Sequence, residues 1–134
     1  MHQFVDAFSS IAHSKDIIVF RNTVPGHFQC FELDEIGPIE ITYSSFIERY
    51  GKTLFDWNLF ADYNTIAKEM LEELRLQAPV TTHYLNVYNM TVLRADQHVA
   101  ATDCLHYTAP GPIDFWNHLL FTNLDELYER NWLR

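Results

Sequence analysis

Ile17-Ile18-Val19-Phe20 is an unbroken apolar run, three of its four residues β-branched, with no polar residue alternating between them. A strand with one wet face alternates apolar and polar. A run with no alternation suits a strand buried on both faces of a parallel sheet. The chain supplies the helices that such a sheet requires. Ile66, Ala67, Met70, Leu71 and Leu74 recur at helical spacing and predict a helix over Asn64 to Gln77, with Pro79 just past its end as a stop. Thr82 to Val87 reads as a second strand. Residues 2–12, with Phe4, Val5, Phe8, Ile11 and Ala12 on one side, predict a short amphipathic helix ahead of the first strand. Pro112, a favoured first helical residue, opens a last helix with Ile113, Trp116, Leu120, Leu124 and Leu127 on one face. Residues 31–42 have little periodicity, contain Gly37-Pro38 and read as an irregular excursion. The order α-β-loop-α-β-loop-α places the chain in the α/β class. Two strands alone do not make a stable doubly wound sheet. Residues 1–134 are therefore expected to be one partial domain, the C-terminal half of a larger fold.

Composition narrows the function classes. The 134 residues are 48% hydrophobic and 15% aromatic, which is a folded chain with one core rather than a disordered one. Its net charge is −9, and nine Lys and Arg are scattered singly, so no basic stripe exists to neutralise phosphates and nucleic acid is excluded as a partner. No apolar run approaches the roughly 20 residues of a membrane span. The start, Met1-His2-Gln3-Phe4-Val5-Asp6, lacks the features of a secretory signal. Taken literally, this describes a soluble, cytosolic chain. Two details point to a secretory lumen instead: the pair Cys30 and Cys104, and the sequon Asn89-Met90-Thr91. Repeats, low-complexity tracts and linkers are absent from the sequence.

The chemistry is concentrated in Asp103-Cys104-Leu105-His106 and the Pro110-Gly111-Pro112-Ile113-Asp114-Phe115-Trp116-Asn117 that follows. An Asp three residues before a His can hold the imidazole Nδ1–H, leaving Nε2 to take a proton from a hydroxyl. The segments Arg21 to His27 and Asp103 to His106 read as loops beyond the carboxyl ends of strands, where α/β sheets carry their working residues. The bland alternatives are equally concrete. His106 could bond only its own loop, and Asp103 could be a turn residue. Arg21 either points at a substrate oxygen or fixes the loop by pairing with a carboxylate. His27 either touches substrate or, more often for such a residue, is structural. Asp96 and His98 are expected to shape the loop beneath the Asp103–His106 pair, Trp116 and Phe115 to pack in the core, and Asn117 to bond the 103–106 loop. Asp103, His106, His98 and His27 are numerous enough for a zinc site. With no His-Glu-x-x-His or Cys-x-x-Cys in the sequence, the metal reading is set aside, and neither a metal nor an organic cofactor is expected.

Three collinear blocks resemble one family. Asp103 to Asn117 is similar to the C-terminal signature of the PC-esterase branch of the SGNH hydrolases, which includes the plant trichome-birefringence-like polysaccharide O-acetyltransferases. Val19-Phe20-Arg21-Asn22-Thr23-Val24-Pro25-Gly26-His27 resembles that branch's strand and Arg-Thr-x-Pro-x-His-type loop. Leu85 to His98 resembles its strand, Met-containing turn and Arg-x-Asp-x-His segment. Together they span about residues 17–121. The resemblance implies the C-terminal half of a three-layer α/β/α SGNH-hydrolase-like fold with a short parallel sheet. It implies acyl-ester chemistry, O-acetyl transfer or hydrolysis on an acylated carbohydrate or other small ester, with His106 as general base and Asp103 as its orienting carboxylate. Arg21 and His27 are the substrate-contact candidates, and paired cysteines at similar places imply a disulfide between Cys30 and Cys104. A Golgi or other secretory location is implied for a full-length form. One departure is Thr108, where plant members often carry a further cysteine. The other is larger. The family's nucleophile is a Ser in a Gly-Asp-Ser turn, and Ser9-Ser10, Ser14 and Ser44-Ser45 all lack that context. The nucleophile is therefore expected from a missing N-terminal half or a partner chain. The alternative from another class is a truncated or degenerate half-domain without activity, acting, if at all, through a protein partner.

Overall fold

The computed structural model describes residues 2–27, 30, 55–100 and 102–132. The expected irregular excursion at 31–42 and the Ser44-Ser45 pair lie outside the described residues. α1 (His2–Ile11) is followed by β1 (Ile17–Arg21). After a 3₁₀ turn at Trp57–Leu59 come α2 (Phe60–Gln77), β2 (Thr81–Leu85) and a one-turn helix α3 (Tyr88–Thr91). A second 3₁₀ turn, Ala95–Gln97, leads into β3 (His98–Ala100), β4 (Asp103–Tyr107) and α4 (Pro112–Trp132).

β1 and β2 pair in parallel, in a register running from Ile17 opposite Thr81 to Arg21 opposite Leu85. The apolar run thus forms the parallel strand that its composition demands. Its residues are half-buried rather than fully covered. Ile18 packs into a core of Val5, Leu74, Ala78 and Val80, with Phe4, Phe8 and Ala12 around it, while Phe20 stacks on Tyr84 across the strand pair. The core is therefore the meeting of α1, α2 and one face of the sheet. α2 begins at Phe60, four residues before the predicted start, so Asn64 lies inside the helix. Of the predicted stripe, Leu71 and Leu74 are buried but Ile66 is 42% exposed. The helix ends as expected: Pro79 denies Ala78 the helical region, and Ala78 is extended at φ −126°, ψ 149°.

The second ribbon was not legible. β3 and β4 are antiparallel, His98 opposite Tyr107 and Ala100 opposite Asp103. Asp103 to His106 therefore sits on a strand, not on the loop expected from the sequence. Three-residue β3 has no alternating pattern to read, and the intervening Ala101-Thr102 lacks the Gly or Asn that marks a hairpin turn. α4 starts at Pro112 as predicted, and the Asp114 carboxylate accepts the Gly111 N–H at 2.7 Å, closing the helix's first turn. Of the predicted face, Trp116, Leu120, Leu124 and Leu127 are half-buried while Ile113 is exposed. Phe115, expected in the core, is 53% exposed because it projects from another side of the same helix.

Candidate active site

In a regular strand, residues i and i+3 point to opposite faces, so Asp103 and His106 meet only because the chain bends. The bend comes from Asp103 itself. Its Oδ1 accepts the backbone N–H groups of Leu105 (3.2 Å) and His106 (3.0 Å), and the carboxylate oxygens lie 3.1 and 2.9 Å from His106 Nδ1. One carboxylate is thus both the turn residue and the partner of the imidazole. These bonds to the charged form hold the Asp103 carboxyl down at about 2, the His106 amide contributing most. At neutral pH it is ionised and accepts the Nδ1–H. His106 Nε2 bonds none of the described residues, and the ring is exposed, with 72% of its side-chain surface accessible. The pair has the geometry of a base awaiting a hydroxyl.

What lies behind β4 fixes this geometry. Tyr107 alternates to the inner side of the strand, where its hydroxyl donates to the Pro25 carbonyl at 2.7 Å. His98 stacks on the Tyr107 ring with centroids 4.5 Å apart, a cross-strand pair. The Trp116 ring meets Tyr107 edge-on at 5.8 Å, and its Nε1–H donates to Thr91 Oγ1 at 2.9 Å. Arg21 lies over the outer part of that assembly, its guanidinium 4.9 Å from the Trp116 ring centre. Its Nη1 donates to the Asn22 carbonyl. Among the described residues no carboxylate pairs with Arg21, and the contact its guanidinium makes there is the stack on Trp116. Sequence reasoning missed Tyr107 as a site residue. The available signal was position: strand alternation places the residue after His106 on the opposite face.

The loop after β1 is bound to β4 at several points. The His27 N–H donates to the Cys104 carbonyl at 2.9 Å, and Cys30 is paired with Cys104, their Cα atoms 5.4 Å apart. Gly26 is packed so closely that a Cβ there would strike the Cys104 carbonyl and the Trp57 ring. Asn64 grips the same loop from α2, exchanging two 2.8 Å bonds with the Thr23 backbone. Asn22, 2% exposed, accepts the Val87 and Tyr88 amides and donates to Asn86. His27 is fully buried. Its Nε2 faces the Val92 carbonyl and its Nδ1 faces His98 Nε2, both at 2.8 Å. Neither ring nitrogen is directed to solvent: both are engaged within the fold. Burial pushes its pKa down to about 4, against the opposing pull of the Val92 carbonyl.

Asp96 is held by Arg94 in a two-pronged pair at 2.9 and 2.8 Å, with Gln97 as a further donor. It shapes the turn into β3, as expected. The Asn117 side chain is exposed and hydrogen-bonds none of the described residues, the 103–106 segment included. The four residues weighed as zinc ligands do not converge: two imidazole nitrogens bond each other and a third bonds Asp103. Among the described residues no group of three or more His, Cys, Asp or Glu could hold a metal ion. A cleft of about 660 Å³ opens beside the ends of β1 and β2, lined by Asn22, Asn64, Lys68, Tyr84 and Asn86 among others. Neither Asp103 nor His106 lines it, and the Asn22 and Asn64 amides are already engaged within the fold. No helix among the described residues is long and apolar enough to cross a membrane.

Comparison with known proteins bears on the whole of this arrangement. The chain is 29% identical over 132 residues to xyloglucan O-acetyltransferase 1 of Arabidopsis thaliana, covering 86% of this chain and 30% of the relative. It is 26% identical over 123 residues to the Arabidopsis protein trichome birefringence-like 6, covering 82% of this chain and 24% of the relative. It therefore spans less than a third of the length of either. No solved structure matches it. The family model of PC-esterases matches residues 1–123, which adds α1 to the stretch recognised from motifs. The α/β arrangement with its short parallel and antiparallel sheets is consistent with such a domain, and the chain belongs to the PC-esterase family, the GDSL/SGNH-like acyl-esterases found in Pmr5 and Cas1p.

Proposed function

We propose that this chain carries the general-base half of a Ser–His–Asp acyl-transfer site acting on acylated carbohydrate. The observation that supports this reading is the Asp103–His106 pair, bonded at 2.9 Å with the imidazole open to solvent. A serine hydroxyl attacks the acyl carbon and gives its proton to His106 Nε2. Asp103 holds Nδ1–H and favours the imidazolium that forms. The tetrahedral intermediate collapses, His106 returns the proton to the departing alcohol oxygen, and an acyl-serine remains. A sugar hydroxyl or water, deprotonated in turn by His106, then takes the acyl group. The sequence contains no Gly-Asp-Ser, and among the described residues no serine hydrogen-bonds His106. In this reading the nucleophile comes from a segment outside these 134 residues, which completes the three-layer fold. The relative named for xyloglucan O-acetylation supports a polysaccharide acceptor.

The test is to obtain the transcript upstream of Met1 and express the longest in-frame product. With a Gly-Asp-Ser segment present, acetyl-ester turnover is expected, and His106→Ala should reduce kcat by at least about 10³-fold. The 134-residue chain alone should hydrolyse a simple acetyl ester no faster than its own His106→Ala variant. Turnover by the short chain that vanishes in that variant would place a nucleophile within it and refute the reading.

A further inference from the structure

The imidazoles of His27 and His98 form a line between two backbone carbonyls. The Val92 oxygen lies 2.8 Å from His27 Nε2, His27 Nδ1 lies 2.8 Å from His98 Nε2, and His98 Nδ1 lies 3.1 Å from the His106 oxygen. Carbonyl oxygens only accept, so each end of the line requires an N–H, and the central N···N contact requires one hydrogen between its two atoms. Three bonds need three ring hydrogens, whereas two neutral imidazoles carry two. In the neutral pair the two buried bonds keep their hydrogens, His27 donating to Val92 and His98 donating to His27. The contact that lapses is the outer one, where a bare Nδ1 then faces the His106 carbonyl.

We propose that His27 and His98 are positioning residues for His106, a two-imidazole clamp that takes up one proton and thereby ties the His106 carbonyl to the buried loop at Val92. This rests on the reading of His106 as the general base. The surroundings define the balance. Burial and the neighbouring His106 oppose the extra proton, while the His106 carbonyl and the carboxylates of Asp103 and Asp96 favour it. Asp96 is itself offset by Arg94. Tyr107, packed against both rings, donates its hydroxyl to Pro25 and stays neutral because burial raises its pKa. The net direction for His98 is downward from its ordinary value, so the clamp is open at neutral pH and closes on acidification.

Two substitutions separate the ends of the clamp. In His98→Asn the amide N–H₂ sits where Nδ1–H was and can donate to the His106 carbonyl at any pH. In His98→Gln the amide reaches His27 instead. The experiment is NMR on the 134-residue chain, recording imidazole ¹⁵N shifts, the His106 carbonyl ¹³C shift and exchange of the Tyr107 amide, which shares that peptide group, from about pH 7.5 to about pH 5. In the parent chain a single proton should enter His98, and the His106 carbonyl shift should follow with the same midpoint. His98→Asn should remove the pH dependence and, at about pH 5 where the parent's clamp is closed, keep Tyr107 exchange within about twofold of the parent. At that same pH His98→Gln should raise it by about tenfold, the scale of one lost hydrogen bond, leaving the Leu85 amide of β2 unchanged. A His106 carbonyl indifferent to pH in the parent chain, or equal effects of both variants, would overturn the proposal. If His98→Gln does not fold, the parent titration and His98→Asn decide by the same criteria. None of these readouts requires ester turnover, so failure of the clamp and failure of the acyl-transfer reading remain distinguishable.

Discussion

At the scale of single residues, Asp103 and His27 show one principle in opposite directions. Asp103 gathers three donors around a charge and is held ionised; His27 is stripped of water and is held neutral. Asp103→Asn keeps an oxygen for the backbone amides but puts a neutral amide before Nδ1. In a longer in-frame product that carries a Gly-Asp-Ser segment, the proposed role of Asp103 predicts a loss in kcat of about 10³-fold or more with little change in melting temperature, read by steady-state kinetics and thermal unfolding. His27 predicts the acid side of stability. Its folded pKa of about 4 lies below the unfolded 6.5, so between these values the unfolded chain binds a proton that the folded chain does not. Stability is therefore full above about pH 6.5 and falls toward pH 4, by about 3 kcal/mol from this group. Denaturant titrations at a series of pH values check this: His27→Gln should flatten the slope, and a parent chain of constant stability across that window would contradict it. Thr91 makes a related point. Its hydroxyl, wholly buried, donates to the Val87 carbonyl and accepts the Trp116 indole N–H, so a threonine is needed there with or without glycosylation of Asn89.

At the scale of elements, β4 is placed from behind. The loop after β1 reaches it through the His27 amide, the Tyr107 hydroxyl and the Cys30–Cys104 pair, and the closeness of all three depends on Gly26. A side chain at that position must displace backbone on one side and an indole on the other. Gly26→Ala is expected to destabilise by roughly 1–3 kcal/mol and to reduce protection of the β4 amides while leaving β1 and β2 intact. Hydrogen exchange measures both, and uniform loss across all four strands would show that the loop and β4 are not a separate unit. The helix and the parallel strands were readable because their apolar residues repeat at their own periods: Leu71 and Leu74 in α2, Ile17 to Phe20 in β1. β3 and β4 have too few residues and too many polar ones for any period to emerge.

For the whole molecule, the Cys30–Cys104 link spans 74 residues of sequence. Closing a loop of that length restricts the unfolded chain and stabilises the fold by about 4 kcal/mol in the chain-entropy model. The Cys30→Ala/Cys104→Ala double variant should unfold at correspondingly lower denaturant, and reduction should bring the parent chain to the same midpoint. Equal stability of parent and variant would show that the link contributes nothing in solution. The sequence by itself determined the α/β class, the family and the identity of the Asp103–His106 pair, because these rest on local periods and on residues close along the chain. Only the tertiary structure decided that the pair stands on a strand, that His27 is buried between Val92 and His98, and that Arg21 stacks on Trp116. The last two outcomes join residues 65 to 95 positions apart, and no local pattern encodes which distant carbonyl or ring a side chain will meet.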